Sequence, residues 1–362
     1  MATRAGAAIL LGALVVSACS SGVVAHQASS TRRSAVPSPT VTAAPTTTTT
    51  TAPALVPWKG PVEHLFFHTL VIHPELAFTS EPIGQGFREW FVTVGEFRKI
   101  LAQLYANGWT LVDIDRAARG QARVPPGRRP LVISEDDVNY YDNTRARGLG
   151  WKLALDSHGN VEVEEHDQSG VHLTDHDLVP MIDELVARHP LFSADGAKGV
   201  LAVTGYEGVL GERVNDRTAP GWPAAVARAK KLAARLRATG WKFASHSYAH
   251  DDETKISVAR LIHDSTEWKT QDEPIVGPTD VYVYPYGAGF PIDSPQIDVL
   301  RKFGFTVLCD IDVVARLTVA NGVIVMTRRH IDGVSFADQP KALAQFFNVS
   351  TVEDYAARGE TP

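Results

Sequence analysis

Cysteine is almost missing from this sequence: its 362 residues contain two, Cys19 and Cys309. Cys19 closes an export-like leader, which leaves Cys309 in "FTVLCDID" without a partner. No disulfide framework holds the fold, and residue 309 is expected as a buried core thiol. Strong basicity is missing too. Lys and Arg number 35 against 41 Asp and Glu, for a formal net charge of −6, so a nucleic-acid partner has no electrostatic footprint. Beyond residue 19 no apolar run is long enough to span a bilayer. No internal repeat is found.

The leader is "MATRAGAAILLGALVVSAC", with a charge at Arg4, an apolar run from Ala5 to Val16 and small residues running into Cys19. That is the grammar of an export signal. Its ending, "VSAC", resembles a bacterial lipobox, which implies cleavage before Cys19 and lipidation of its thiol. The chain is therefore expected to be exported and held by lipid on the extracytoplasmic face of the cell membrane. Residues 20–57 are dominated by Ser, Thr, Pro and Ala, including "APTTTTTTAP". Such a segment buries too little apolar surface to offset its ordering entropy and reads as a disordered tether. Residues 58–362 remain, roughly 300 residues, enough for one large α/β domain.

Within that domain, apolar runs alternate with segments of helical period. "HLFFHTLVI", "WTLVDID", "RPLVISEDD", "KGVLAVTGYEG", "WKFASHS", "DVYVYPYG", "FTVLCDI" and "GVIVMTRRH" read as strands. Helices are expected over 93–109, 174–190 (with a Thr cap), 221–240, 254–269 and 294–303. The alternation argues for a parallel sheet or barrel with helices outside. One segment breaks the rhythm: "WKLALDSHGNVEVEEH" (151–166) alternates around a Gly-Asn turn and predicts an inserted β-hairpin.

With 13 histidines, about half of one His-x3-His pair is expected by chance, so a lone match says little. Three occur: His64/His68, His172/His176 and His246/His250. Position separates them. In a parallel barrel, reactive groups gather at the carboxyl ends of the strands. There "LVIS" runs into Glu135-Asp136-Asp137, "WKFAS" into His246-Ser247-Tyr248-Ala249-His250, and "VYVY" into Pro285-Tyr286-Gly287. His172/His176 flanks a polar helix start and reads as surface. His68 stands where it could touch the pocket. Asp251 and Asp252 read as the start of the next helix.

These three rows resemble the motifs of the polysaccharide deacetylases, the NodB-homology or carbohydrate esterase family 4 domain. "SEDDV" resembles the family's Thr-Phe-Asp-Asp-Gly, "HSYAH" its His-Ser/Thr-x-x-His, and "YPYG" its Pro-Tyr-Gly. The resemblance spans roughly 60–335 and implies a distorted (β/α) barrel, here with the inserted hairpin. It implies Asp136 as catalytic base; Asp137, His246 and His250 as ligands of a divalent metal; and the backbone N–H of Tyr286 as an oxyanion donor. Two imidazoles and a carboxylate suit zinc, with cobalt, nickel or manganese as alternatives. The implied reaction is removal of acetyl groups from an N-acetylated carbohydrate. Peptidoglycan or another extracellular polysaccharide is the expected partner, with the membrane reached through the lipid anchor.

Three features depart from the family pattern, one of them the unusually long stretch between the first two motifs, which includes the hairpin and the "TGYEGVLGERVND" loop. The third motif usually carries an Arg two residues before its Pro; here Val283 stands there, leaving Arg328 or Arg329 in "MTRRHID" to orient Asp136. The fifth motif supplies an acid His near the last strand; His330 in "TRRHID" is the nearest counterpart, though not a close match to the motif. Tyr140, Tyr141, Tyr206, Tyr248 and Trp222 are open to two readings, packing or stacking on sugar rings. An O-acetyl esterase, or a glycan-binding lipoprotein that keeps the pocket without catalysis, stays open beside the deacetylase.

Overall fold

The computed structural model describes residues 54–361, Ala288 apart. The leader, the lipidation expected at Cys19 and the tether up to residue 53 lie outside the described residues. Seven strands form the frame: β1 Glu63–His68, β2 Arg129–Asp136, β3 Gly199–Val203, β4 Trp241–Ser245, β5 Val281–Val283, β6 Val307–Ile311 and β7 Val323–His330. Each pairs in parallel with the next, and β7 pairs with both β6 and β1, which closes a seven-stranded barrel. Its strands are short and run from Val-, Leu- and Ala-rich segments into polar residues at their carboxyl ends. The expected barrel is thus present. Cys309 is fully buried, as expected.

Among the described residues six helices have eight or more residues; Pro82–Trp90 precedes the five that matter for the frame, α1 Val94–Ala106, α2 Leu178–Arg188, α3 Trp222–Ala238, α4 Val258–Gln271 and α5 Pro295–Lys302. Each buries the apolar stripe that its 3.6-residue period lines up. In α1 the stripe is Phe97, Ile100, Leu101 and Leu104. The Thr93 hydroxyl accepts from the Glu96 N–H and the Glu96 carboxylate accepts from the Thr93 N–H, a capping box that starts α1. Glu96 also receives Arg358 at 2.7 Å, tying the C-terminal segment onto this helix.

Three expectations need correction. The insertion has three strands, not two: Lys152–Leu155, Val161–Asp167 and Gly170–Thr174, paired antiparallel. "GVHLT" follows a tight Asp-Gln-Ser-Gly turn, and its outward Val171 and Leu173 are exposed, so it shows no buried face in the sequence. Thr174 consequently ends a strand, and Asp177 caps α2 with its carboxylate on the Leu178 N–H. "WTLVDID" provides only Trp109–Leu111, which pairs beside the start of β2 instead of joining the ring. In addition, Val56–Pro57 pairs with Arg123–Val124 near the start of β2, so the last tether residues are held at the foot of the barrel. Among the described residues no helix is long and apolar enough to cross a membrane.

Candidate active site

The carboxyl end of β2 delivers three acids with different fates. Alternation along the strand turns Asp136 to the barrel interior with Ser134, while Glu135 faces the helices. Glu135 is fully buried there, where burial first and Asp177 second push its pKa well up, and it stands apart from the cluster formed by Asp137, His246 and His250. Asp137 leaves the strand with φ 61° and Tyr140 follows with φ 53°. Two left-handed residues so close fold the chain back on itself, at a cost of order 1–3 kcal/mol each. The surroundings hold the turn. The Tyr140 hydroxyl donates to Asp177 at 2.6 Å, and Arg213 donates to the carbonyls of Asn139 and Tyr140 at 3.1 and 2.7 Å.

The second row is the loop after β4. Ser247 and His250 also take positive φ, 55° and 54°. The loop is fastened by Asp264 on α4, whose two carboxylate oxygens accept from the Tyr248 and Ala249 N–H groups at 2.8 Å each. Asp264 was not read from the sequence; an Asp on a helix face gives no sign of which loop it will cap. Asp251 instead pairs with Arg260, while Asp252 caps a short 3-10 turn, Glu253–Lys255, as a helix start; α4 begins only at Val258, behind its cap Ser257, later than expected.

These turns bring Asp137, His246 and His250 together, one ligand-type atom from each lying within 4.8 Å of the others. Asp137 Oδ1 is 3.6 Å from His250 Nε2 and 3.9 Å from His246 Nε2. Two nitrogen or oxygen ligands of a tetrahedral zinc ion stand about 3.4 Å apart, so the spacing fits a divalent ion. The donor chemistry fits as well. His246 Nδ1 lies 2.9 Å from the Val283 carbonyl, which can only accept, so Nδ1 carries the proton and Nε2 presents its lone pair. Burial is the main cause that lowers His246 to about 4, keeping it neutral. At Asp137 burial raises the pKa, but His250, His246, His68 and the Tyr141 hydroxyl outweigh it and hold the carboxyl below its usual range.

Asp136 sits beside this group, its Oδ2 3.9 Å from His246 Nε2. Of the two cations left to orient it, Arg328 makes the contact: Nη1 is 2.7 and 3.0 Å from the two carboxylate oxygens, and both side chains are buried. Burial alone would raise Asp136, yet Arg328, with His246 and His68, holds it at about 2. Below the pair, Ser134 lies 3.3 Å from the same Nη1 and 2.9 Å from His64 Nε2, and the guanidinium stacks 4.1 Å over Phe66. Arg329 points outward and packs on Phe346.

The other named residues fall at varying distance from this centre. His68 pairs in register with Asp136 across β1 and β2, and its Nδ1 donates to the Trp90 carbonyl at 3.0 Å. The Tyr286 ring lies edge-on to His250 at 4.7 Å and is 67 % exposed, on a backbone with φ 55°. Gly287 follows with φ 64°, where a Cβ would come within 1.8 Å of Ile311. Gly287→Ala is therefore expected to lower the unfolding free energy by about 1–3 kcal/mol in denaturant titrations.

His330 ends β7 on the inner face, but its ring is taken up by Asp332 at 2.8 Å and Gln339 at 3.0 Å. It touches Phe66 rather than the metal-type group. His172 is exposed and His176 pairs with Glu165, both on the insertion side. Tyr141, read above as packing or sugar contact, puts its hydroxyl on Asp137 at 2.7 Å. Its place four residues after Asp137 in a turn is the signal that could have pointed there.

The polysaccharide deacetylase family model matches residues 209–308, a stretch that holds His246, His250 and Tyr286 but not β2 and its acids. No curated protein matches. Among solved structures, the deacetylase PplD of Streptococcus pyogenes is similar at 12% identity, covering 80% of this chain and 99% of its own, with a TM-score of 0.46. IcaB of Ammonifex degensii is similar at 14% identity over 79% of this chain and 97% of its own, with a TM-score of 0.45. The deacetylase domain of BpsB from Bordetella bronchiseptica is similar at 14% identity over 75% and 96%, with a TM-score of 0.39. Over residues 209–308, then, the chain matches the polysaccharide deacetylase family, within a closed seven-stranded barrel.

Proposed function

We propose that the chain is an exported, lipid-anchored, metal-dependent hydrolase that removes acetyl groups from an N-acetylated cell-wall or extracellular polysaccharide. The observation that carries this reading is the group formed by Asp137, His246 and His250, with the buried carboxylate of Asp136 alongside. Asp137, His246 and His250 would hold a divalent ion, zinc before cobalt, nickel or manganese. When bound, such an ion supplies positive charge that acidifies a water and polarises the acetyl carbonyl.

The remaining work belongs to the side chains and the backbone. Asp136, kept anionic by Arg328, is the base that takes the water's proton. The Val283 carbonyl keeps His246 in the tautomer that offers Nε2. The Tyr286 backbone N–H donates to the carbonyl oxygen as it gains negative charge. His330, oriented by the Asp332 carboxylate, would become the proton source for the leaving nitrogen only once its Nε2 is released from the Gln339 amide that donates to it. Lipidation at Cys19 would hold the chain at the membrane through its N-terminal segment.

The test is acetate release by the full chain from N-acetylglucosamine oligomers and purified peptidoglycan, after chelation and after refilling with Zn²⁺ or Co²⁺. Release is expected to fall to background on chelation and return on refilling. Release that survives complete chelation would overturn metal dependence, and no release in any state would overturn the deacetylase reading.

A further inference from the structure

We infer that Tyr141 is a positioning residue for the ion-binding carboxylate, and that metal affinity in this chain depends on its phenol; this rests on the metal-dependent reading above. The Tyr141 hydroxyl is 2.7 Å from Asp137 Oδ1. That is the same oxygen that lies 3.6 and 3.9 Å from the two imidazole nitrogens. A carboxylate only accepts, so the phenol donates to it.

The oxygen nearest the histidines thereby takes a fixed hydrogen bond. The carboxylate plane is set before any ion arrives, instead of being free to rotate about the Cβ–Cγ bond. Burial first, and then the Asp137 charge, push the Tyr141 pKa well up, so the phenol keeps the proton it donates.

The phenol is itself held from two sides. Its oxygen lies 3.1 Å from Thr204 Oγ1, at the end of β3, and the Asn139 side-chain amide donates to that same Thr204 hydroxyl. With the Tyr141 proton committed to Asp137, the Thr204 hydroxyl is left to donate to the Tyr141 oxygen. A one-way chain results, Asn139 to Thr204 to Tyr141 to Asp137, in which each bond polarises the next. The ring is covered by Tyr206, stacked at 5.3 Å between centroids and 27° between planes. This accounts for two tyrosines at the mouth of the barrel that sequence alone left open to packing or sugar contact. It also gives the strained turn at Asp137 and Tyr140 a purpose, since that turn returns residue 141 onto residue 137.

Removing a hydrogen bond of this kind behind a ligand weakens metal binding by about 10–100-fold in comparable sites. The experiment is a competition titration of the chelated full chain with Zn²⁺ and Co²⁺ against a chromogenic chelator, for the parent, Tyr141→Phe and Thr204→Val. Tyr141→Phe is expected to bind each ion about 10–100-fold more weakly, with the thermal midpoint of the metal-free protein unchanged. Thr204→Val should show a smaller loss in the same direction, because it leaves the phenol in place but unanchored. If Tyr141→Phe does not fold, Thr204→Val decides. Metal affinity within about twofold of the parent in the folded variants would overturn the inference while leaving the deacetylase reading intact. A parent that binds neither ion would overturn both.

Discussion

Asp136→Asn is expected to bind a divalent ion as tightly as the parent and to lose about 10²–10⁴-fold in kcat/KM for acetate release. The substitution keeps the shape of the side chain and an oxygen for Arg328, but an amide cannot take a proton from water. In the reading proposed here Asp136 is not a ligand: those are Asp137, His246 and His250, and Asp136 Oδ2 stands 3.9 Å from His246 Nε2. The two effects therefore separate. Metal stoichiometry and affinity on one side, and acetate release under saturating metal on the other, are measured on the same preparation. A variant that releases acetate at the parental rate would sink Asp136 as the base; a variant that also loses its metal would make it a ligand.

Arg328→Met is expected to lower the stability of the metal-free protein by about 3–5 kcal/mol at neutral pH, because it leaves Asp136 as a buried charge without its partner. Methionine fills much of the same volume and can still pack on Phe66, so the loss reports the charge rather than a cavity. The pH dependence carries a sign. In the parent, Asp136 is held at about 2, below the ordinary carboxylate value of 3.8. Its contribution is therefore present above that ordinary value and is lost as pH falls through about 2.

Without Arg328 the burial that raises Asp136 loses its largest counterweight, and the carboxyl protonates at higher pH. A protonated Asp136 no longer needs a cation. The stability difference between parent and variant should thus be widest near neutrality and narrow on acidification, measured by denaturant unfolding at several pH values. The acid limb of the deacetylation profile should move up in pH by the same cause. A difference that stays constant with pH would mean that Arg328 contributes through packing alone.

Much of the barrel was legible because local signals agree. Apolar runs of strand length alternate with helical stripes, and polar residues collect where the strands end. The third inserted strand was not legible: Val171 and Leu173 face solvent, so the burial pattern that marks a strand is absent. The helix start at Asp177 was misplaced for a related reason, since Thr174 is an equally good cap until strand pairing claims it. His330 could be placed at a strand end, but its two partners, Asp332 and Gln339, could not be read from its spacing.

The sequence by itself determined which residue types reach the carboxyl ends of β2, β4 and β5, because strand alternation and chain order are local properties. It therefore determined that Asp137, His246 and His250 would reach one end of the barrel, with Asp136 beside them. The tertiary structure alone decided which cation serves that acid and which hydroxyl sets its neighbour. Arg328 and Asp136 are 192 residues apart, and only closure of the ring through β7 puts one against the other. Tyr141 is near Asp137 in sequence, yet its contact exists only because two residues in left-handed conformation fold the turn, and Tyr140, Arg213 and Thr204 hold it there. Coulomb forces and hydrogen bonds fall off with distance through space, and distance through space is what a linear pattern does not contain.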